Sequence, residues 1–458
     1  MSEDLTWAPA WRIRELVAAR EVSPVEVAEH VLGRIEKLDP TLLSMVNVVP
    51  EHVREQARAA EAAVMAGREL GPLHGVPMAV KHHIDIAGSS GPGFPFWLDV
   101  ARRDDLTVER LRAAGAVIVG HNTMMAMNNQ GAFLWDELAR NPWDPSRVAG
   151  GSTSGGAASV AAGILPVVLG SDGAGSARMP PAYNGLVGVH PTAGLVPWMD
   201  HRRWAVRPGT TIGPIARDVR DAATVLAVIA GPDGRDHLGI GFDMPDPRSE
   251  LDRGAGGLRL AWTDDFGFAR PYWVEESPRV VAHIRDAAFG VAGLGATVEQ
   301  TDETWEDYVA ALNTHRTVFS DMPILGPEAG TKVSQDAWEA ATDLRQRNWL
   351  KFRALFGNYD LLLCPTIATV APPFDVWKTR LSAPTRLADG VLGIDGFAIY
   401  TAQFNWLRLP AVSVCCGFVD GLPVGLQIVG PPGSDPKILR LARAFQQAFP
   451  HDERPQIS

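Results

Sequence analysis

The stretch GGSTSGGAASVAAGILPVVLGSDGAGSARMPPA, residues 150–182, restricts the possible folds of this chain more than any other segment. Its glycine and serine content alone would be typical of a flexible linker. However, it contains an apolar run with helix and strand character, VAAGILPVVLG. Such a run predicts buried segments, which a flexible linker does not contain. We therefore expect the glycines to lie in tight turns of a folded core, where they permit positive φ and close approach to a ligand.

A glycine-rich turn between a strand and a helix leaves several backbone N–H groups pointing at one position, where they can hold an anion. A phosphate there would indicate a nucleotide-binding protein, but the sequence has no GxxxxGK[ST] motif, and no G-x-G-x-x-G lies between a strand and a helix. A tetrahedral oxyanion would instead indicate an acyl-transfer enzyme, which needs a nucleophile beside the N–H groups. Ser176 has that position, because it follows the apolar strand VVLG and the turn Gly173-Ala174-Gly175.

A nucleophilic serine needs a base. Histidine is the usual partner, and His82, His83 and His190 are the nearest of the twelve histidines by context, but no G-x-S-x-G elbow supports the common α/β-hydrolase arrangement. A lysine can serve where burial keeps it neutral. Lys81 ends the apolar segment VPMAV and is the only lysine between positions 37 and 332, although a lysine at a strand end more often reaches solvent.

Short apolar strands alternate with helical segments along the chain. Ser23-Pro24-Val25-Glu26 is a capping box with proline at the first helical position and predicts a helix start. Buried strands are predicted for the apolar runs MAVK, AVIVG, VVLG, LLLC, AVSV and VGLQIVG. This alternation predicts an α/β fold with a mixed, mostly parallel central β-sheet that is covered by helices on both faces.

The predicted organisation has four parts. Residues 1–70 form an N-terminal helical segment, 71–230 a core with the candidate catalytic residues, 231–360 a variable subdomain or lid, and 361–458 the C-terminal part of the core sheet. The boundary near residue 231 rests on a long connecting segment that is rich in glycine and proline, GPDGRDHLGIGFDMPDPRSELDRGAGG.

Charge and cysteine content exclude several kinds of partner. With 42 Lys and Arg against 53 Asp and Glu, the net charge is −11 and no basic run is present, which argues against nucleic acid and anionic membranes. Three cysteines without a CxxC pair, and an N-terminus without a signal-peptide pattern, predict a cytoplasmic protein. Because no histidine-rich tract has ligand spacing, we expect neither a metal nor a cofactor.

Several ordered blocks of the sequence resemble the amidase signature family. The blocks are GVPMAVKHHIDIAG, NPWDPSRVAGGS, GSDGAGSARMP, GLVGVHPTAGLVP, GPIARDVRDAA, LLLCPT and FNWLRLPAVSVCCGF with GLPVGLQIVG. They cover nearly the whole chain, least clearly 230–360. The resemblance implies the amidase signature fold and a catalytic triad in which Lys81 is the base, Ser152 the bridging serine on a cis peptide bond, and Ser176 the nucleophile.

The resemblance also implies an oxyanion hole and residues that support it. The oxyanion-binding amides fall on Gly173, Ala174 and Gly175, together with Ser176 itself. The family positions that support the loop are occupied by Asp172, Arg178 and Thr153. A structural ion pair is the interpretation that we prefer for Asp172 and Arg178.

This sequence departs from the family pattern at a few positions. His82-His83 follow the lysine where Asp-Asn is common, Ala174 replaces a more usual glycine, and Ser154 is an atypical spacer. Thr153 stands where a second serine is usual, but its hydroxyl can make the same hydrogen bonds. These differences affect fine geometry and leave every catalytic atom in place.

The resemblance implies hydrolysis of a carboxylic amide of a small molecule through an acyl-enzyme on Ser176, by a monomer or homodimer. Met125, Met127 and Asn128 fall where the wall of the acyl pocket should lie, and flexible methionines suit bulky apolar ligands. We therefore expect small apolar or aromatic amides, with carbamates (urethanes) and aryl esters as further substrates. Two alternatives stay open: the amidase component of a tRNA-dependent amidotransferase, which needs partner subunits, and a non-catalytic binding protein on the same fold.

Overall fold

A computed structural model of the protein describes residues 4–91, 100–125, 138–198, 209–237, 239, 244–319, 333–382 and 398–457. Within these ranges the α-helices are α1 Ala10–Ala19, α2 Pro24–Leu42, α3 Pro50–Met65, α4 Leu106–Ala113, α5 Ser154–Ala161, α6 Met179–Asn184, α7 Val219–Ile229, α8 Ser277–Gly290, α9 Val309–Phe319, α10 Gln335–Asn358, α11 Phe374–Ser382, α12 Ala402–Leu407 and α13 Asp435–Ala448. The strands are β1 Met45–Val46, β2 Pro77–Lys81, β3 Val117–Asn122, β4 Arg140–Asn141, β5 Asp144–Val148, β6 Val167–Asp172, β7 Val187–His190, β8 Thr211–Ala216, β9 Arg259–Trp262, β10 Thr297–Gln300, β11 Leu361–Pro365, β12 Ala411–Val419 and β13 Leu422–Val429.

The start of α2 confirms the predicted capping box. The Ser23 side chain accepts a hydrogen bond from the Glu26 N–H at 3.1 Å, and the Glu26 carboxylate accepts one from the Ser23 N–H at 2.8 Å. Pro24 occupies the first helical position, where its missing N–H has no cost because that group would lack a partner in any case.

One mixed sheet organises the described part of the chain. Its eleven strands lie in the order β1-β3-β2-β6-β8-β7-β12-β13-β11-β9-β10. Parallel pairs occur towards the two sides, among β3, β2 and β6 and among β11, β9 and β10. The strands between them pair antiparallel, as does β1 at the edge. Strands β4 and β5 form a separate hairpin.

Both faces of this sheet are buried. Along β2, Met78 and Val80 belong to one hydrophobic cluster, and Ala79 between them belongs to another. Successive side chains of a strand point to opposite faces, so apolar side chains cover the sheet on both sides. This confirms the predicted mixed sheet with helices on both faces, and it explains why the core strands read as continuous apolar runs.

The segment 231–360 contributes two strands to the same sheet. β9 pairs parallel with β11 and with β10, and all three lie at one side of the sheet. The role of this segment as a subdomain or lid stays a prediction. Among the described helices, none is long and apolar enough to cross a membrane.

Candidate active site

Lys81 is the last residue of β2, and this strand lies between β3 and β6 in the sheet. Its side chain is 1% exposed. Its Nζ donates hydrogen bonds to Ser152 Oγ at 2.6 Å and to Ser171 Oγ at 3.1 Å. Burial lowers the pKa of Lys81 to about 7, an effect that the negative charge of Asp172 opposes. A large fraction of this lysine is therefore neutral near pH 7, as a base must be.

Ser152 is held where the chain passes from β5 into α5. The peptide bond between Gly151 and Ser152 is cis, as the resemblance implied. The Ser152 carbonyl accepts a hydrogen bond from the Met125 N–H at 3.2 Å. Next to it, the Thr153 hydroxyl donates to the Ser171 carbonyl at 3.3 Å, so β6 supports both the lysine and the loop that carries its partner.

Ser176 lies in the turn between β6 and α6 and is half-buried. Within the described ranges, its hydroxyl makes no hydrogen bond, and the relay from Ser152 to Ser176 stays a prediction. Hydrogen bonds between catalytic groups are often long before substrate binds and shorten in the complex. The hydrogen bond between Lys81 and Ser152 is thus present, and the participation of Ser176 in a catalytic triad stays a prediction.

The backbone amides that precede Ser176 are not equivalent. The Gly175 N–H donates to Asp172 Oδ1 at 2.6 Å, so this amide is already occupied and is unavailable to an oxyanion. The N–H groups of Gly173, Ala174 and Ser176 donate no hydrogen bond within the described part of the chain. These three N–H groups are free for an oxyanion among the described residues, and their role as oxyanion donors stays a prediction.

Position 175 requires glycine because of its backbone conformation and its close contact with Thr401. Its φ is +117°, a conformation that residues with a side chain rarely adopt. A Cβ atom there would lie 2.2 Å from Thr401 Oγ1. The same threonine hydroxyl donates to the Ala174 carbonyl at 2.7 Å. Thr401 thus packs directly on the turn that carries Ser176.

Asp172 and Arg178 anchor both ends of that turn. Arg178 Nε and Nη2 donate to the two carboxylate oxygens of Asp172 at 2.8 and 3.0 Å, and both side chains are completely buried. Burial alone would raise the pKa of Asp172, but the Arg178 charge and the hydrogen bonds hold it well below its usual value. The structural ion pair expected from the sequence is present, and Asp172 also orients the Gly175 amide.

The remaining donors of Arg178 are satisfied by residues that sequence reasoning did not single out. Arg178 Nη1 donates to the Thr401 carbonyl at 3.1 Å and to Gln427 Oε1 at 2.8 Å, and Nη2 donates to Asn405 Oδ1. Asn405 Nδ2 in turn donates to the Asp172 backbone carbonyl at 2.9 Å. The available signals were that Asn405 lies in the block FNWLRLP and Gln427 in the block GLPVGLQIVG.

Ser171 was also missed, although it lies next to Asp172 at the end of β6. Its Oγ is the second partner of Lys81 Nζ. The signal was its position in GSDGAGS, directly before residues to which roles were assigned. A polar side chain at the end of a strand that flanks β2 points into the same site, which is the physical reason for this contact.

The histidines considered as bases have other partners. His190 is completely buried, contacts Thr211 Oγ1 at 2.7 Å, and burial lowers its pKa to about 3. His82 contacts Asn47 Nδ2 and the Ser90 carbonyl. His83 packs edge-on against the Trp198 ring, with the ring centroids 5.6 Å apart. Among the described contacts, none of these histidines reaches Ser176.

Apolar side chains lie against the backbone that carries Ser152. A Cβ atom built at Gly151 would lie 3.3 Å from Met125 Sδ and 3.5 Å from the Trp377 ring. Met125 was predicted for the pocket wall; Met127 and Asn128 lie outside the described residues. Among the described residues, no group of three or more His, Cys, Asp or Glu side chains is arranged to hold a metal ion.

Comparisons with known proteins identify the family of this chain. A family model described as Amidase matches residues 26–323 and 311–439. A glutamyl-tRNA(Gln) amidotransferase subunit of Symbiobacterium thermophilum is 35% identical over 98% of each chain, and further curated relatives at 30–33% identity have the same name. An acylamidase of Rhodococcus erythropolis is 30% identical over 100% of this chain and 98% of the relative. The crystal structure of a bacterial aryl acylamidase of the amidase signature family matches with a TM-score of 0.84 and 26% identity over 98% of each chain.

Proposed function

The chain belongs to the amidase signature family of amide hydrolases, and from this premise we propose that it cleaves amides with Ser176 as nucleophile, Ser152 as proton bridge and Lys81 as base. The observation that carries the proposal is the hydrogen bond of 2.6 Å from Lys81 Nζ to Ser152 Oγ, made by a buried lysine whose pKa is lowered to about 7. A neutral amine beside a serine hydroxyl can accept its proton, and that serine can then accept the proton of a nucleophile.

Each step follows from the atoms in the site. Lys81 takes the proton of Ser152, which takes that of Ser176, and Ser176 Oγ attacks the substrate carbonyl. The N–H groups of Gly173, Ala174 and Ser176 stabilise the developing oxyanion, and one such donor is typically worth about 3 kcal/mol. The proton returns through Ser152 to the leaving nitrogen. Water then attacks the acyl-enzyme, and the acid is released.

The proposed substrates are small molecules with an apolar or aromatic group on the acyl side. Support comes from Met125 and Trp377, which lie against Gly151 next to the bridging serine. The thioether of Met125 and the indole of Trp377 favour contact with apolar and aromatic surfaces. Carbamates and aryl esters present a carbonyl to the same nucleophile, so we include them in the proposed substrate range.

A second candidate function is the amidase component of a tRNA-dependent amidotransferase. The relatives favour it, because the curated relative at 35% identity and several others have that name. In this case the chain would act on an amide donor within an assembly of several different chains. The apolar contacts at Gly151 favour the first candidate, since the amide of glutamine needs polar partners.

Assays of the purified single chain separate these candidates. The substrates are a p-nitroanilide, a p-nitrophenyl ester, an aryl carbamate and glutamine, with release of chromophore or ammonia as the readout. Wild type is compared with Ser176→Ala and with the matched control Ser154→Ala. The Ser154 hydroxyl lies in the same stretch but is buried without a hydrogen-bond partner among the described residues. We expect chromophore release that Ser176→Ala abolishes and Ser154→Ala retains.

The other outcomes are equally informative. Ammonia release from glutamine alone, or activity that needs added partner subunits, would favour the amidotransferase component. A folded chain that is inactive on all four substrates with and without such partners would favour the non-catalytic binding protein. Activity that survives Ser176→Ala would disprove the proposed nucleophile.

A further inference from the structure

A cavity that is separate from the candidate catalytic residues lies between the middle of α10, the end of α12 and the segment that precedes α13. Its volume is about 520 Å³. Lys81, Ser152 and Ser176 do not line it. A cavity of this size is within the range that encloses a small organic molecule.

Two arginines line this cavity, and neither has a counter-charge among the residues that the structure describes. Arg345 comes from α10 and is half-buried, and Arg408 directly follows α12. Over the described residues, neither guanidinium forms a hydrogen bond or an ion pair. By contrast, Arg347 on the same helix pairs with Glu306 at 2.8 Å. Burial, and then the neighbouring positive charge of Arg408, lower the pKa of Arg345, so the exposed Arg408 disfavours the charged form of Arg345.

The other walls of the cavity are largely apolar. The Trp349 ring lies one turn along α10 from Arg345, and Leu407 and Met244 complete the apolar surface. On another wall of the cavity, the N–H and the hydroxyl of Thr192 donate hydrogen bonds to the carboxylate of Asp435. This carboxylate is therefore already engaged. The cavity thus combines an unneutralised pair of cations with an apolar and aromatic surface.

We propose that this cavity binds a small organic carboxylate, whose carboxylate lies between Arg345 and Arg408 and whose apolar body lies against Trp349, Leu407 and Met244. Guanidinium groups match the geometry of a carboxylate and form two parallel hydrogen bonds with it. A neutral ligand would leave the repulsion between the arginines in place. An inorganic anion would leave the apolar walls without a partner.

Calorimetric titration of the full chain with benzoate tests the proposal. Arg345→Gln and Arg408→Gln are each expected to weaken benzoate binding at least tenfold. The control is Arg353→Gln, which removes an exposed arginine from the same helix, away from the cavity, and should leave the affinity unchanged. Melting temperatures establish that the variants fold. Neither glutamine variant should melt earlier than wild type, because each removes one of two repelling charges.

Two further ligands separate the parts of the proposal. Benzamide has the same ring without the charge and should bind at least tenfold more weakly than benzoate. Inorganic phosphate has charge without a ring and should not displace benzoate at equal concentration. The proposal is overturned if benzoate does not bind, if both arginine variants bind it like wild type, if benzamide binds equally well, or if phosphate displaces it.

Discussion

Asp172 and Arg178 form a bidentate ion pair in which neither side chain is exposed to solvent. Asp172 ends β6 and Arg178 precedes α6, so the pair closes the turn that carries Ser176. The second function of the Asp172 carboxylate is to receive the Gly175 N–H. The ion pair therefore shapes the backbone at the candidate nucleophile.

Removing one partner of this pair should be strongly destabilising. We expect Arg178→Met to lower the free energy of unfolding by about 3–5 kcal/mol, because it leaves a buried carboxylate without a counter-charge. Urea unfolding measures this. The control is Arg347→Gln, which breaks the exposed pair with Glu306 and should lower it by less than about 1 kcal/mol. Equal effects of the two variants would contradict the structural role of the buried pair.

The pH dependence should report the titration of Lys81. The base is active when neutral, and burial lowers the pKa of Lys81 to about 7, so kcat/KM should rise with pH through a midpoint near 7. Lys81→Arg keeps its charge throughout this range and should be inactive at every pH. Initial rates across about pH 5–9 test this. A rate that falls as pH rises through 7 would rule out a neutral lysine as base.

A covalent intermediate should form on Ser176 and nowhere else. A slowly hydrolysed aryl carbamate should add one carbamoyl group to the wild-type chain, detected by intact mass and located by peptide mapping. Ser176→Ala should remain unmodified. Ser152→Ala should still react, but about 10²–10⁴-fold more slowly, because proton transfer is impaired while the nucleophile remains. If the adduct maps to another residue, the assignment of the nucleophile is incorrect.

The Thr401 hydroxyl should position the turn between β6 and α6, which carries the candidate oxyanion donors. Its Oγ1 donates to the Ala174 carbonyl at 2.7 Å, so Thr401→Val should leave that carbonyl without this partner and misplace the Ala174 and Ser176 amides. One hydrogen bond is worth about 1 kcal/mol, which predicts a loss in kcat of about fivefold with little change in KM. Thr401→Ser retains the hydroxyl and should restore kcat. A change in KM alone, or no rescue by serine, would argue for a packing role.

Local features were predictable because their causes are local. The capping box at Ser23 and Glu26 involves residues three apart, and it appears as expected. The buried strands β2, β3 and β6 were predicted from continuous apolar runs, since a strand buried on both faces needs apolar side chains throughout. The direction of each strand was harder to predict. Antiparallel pairs such as β12 with β13 depend on the path of the connections, which periodicity does not encode.

The use of the Gly175 amide shows where sequence reasoning ends. Gly175 was predicted as one of several oxyanion donors, but in the structure its N–H donates to the Asp172 carboxylate. The reason is the orientation of the carboxylate, which Arg178 and Asn405 set together. Asn405 is 227 residues from Arg178 along the chain, and no local pattern indicates that they meet.

The sequence by itself determined the family, the α/β class and the residue types that acyl transfer requires, because these depend on ordered motifs and on local periodicity. Only the tertiary structure decided that Lys81 is buried and hydrogen-bonded to Ser152, and that Arg345 and Arg408 line one cavity without a counter-charge among the described residues. Burial and electrostatic environment arise when distant segments pack together. A pKa or an unpaired charge is therefore a property of the folded chain and not of any segment of it.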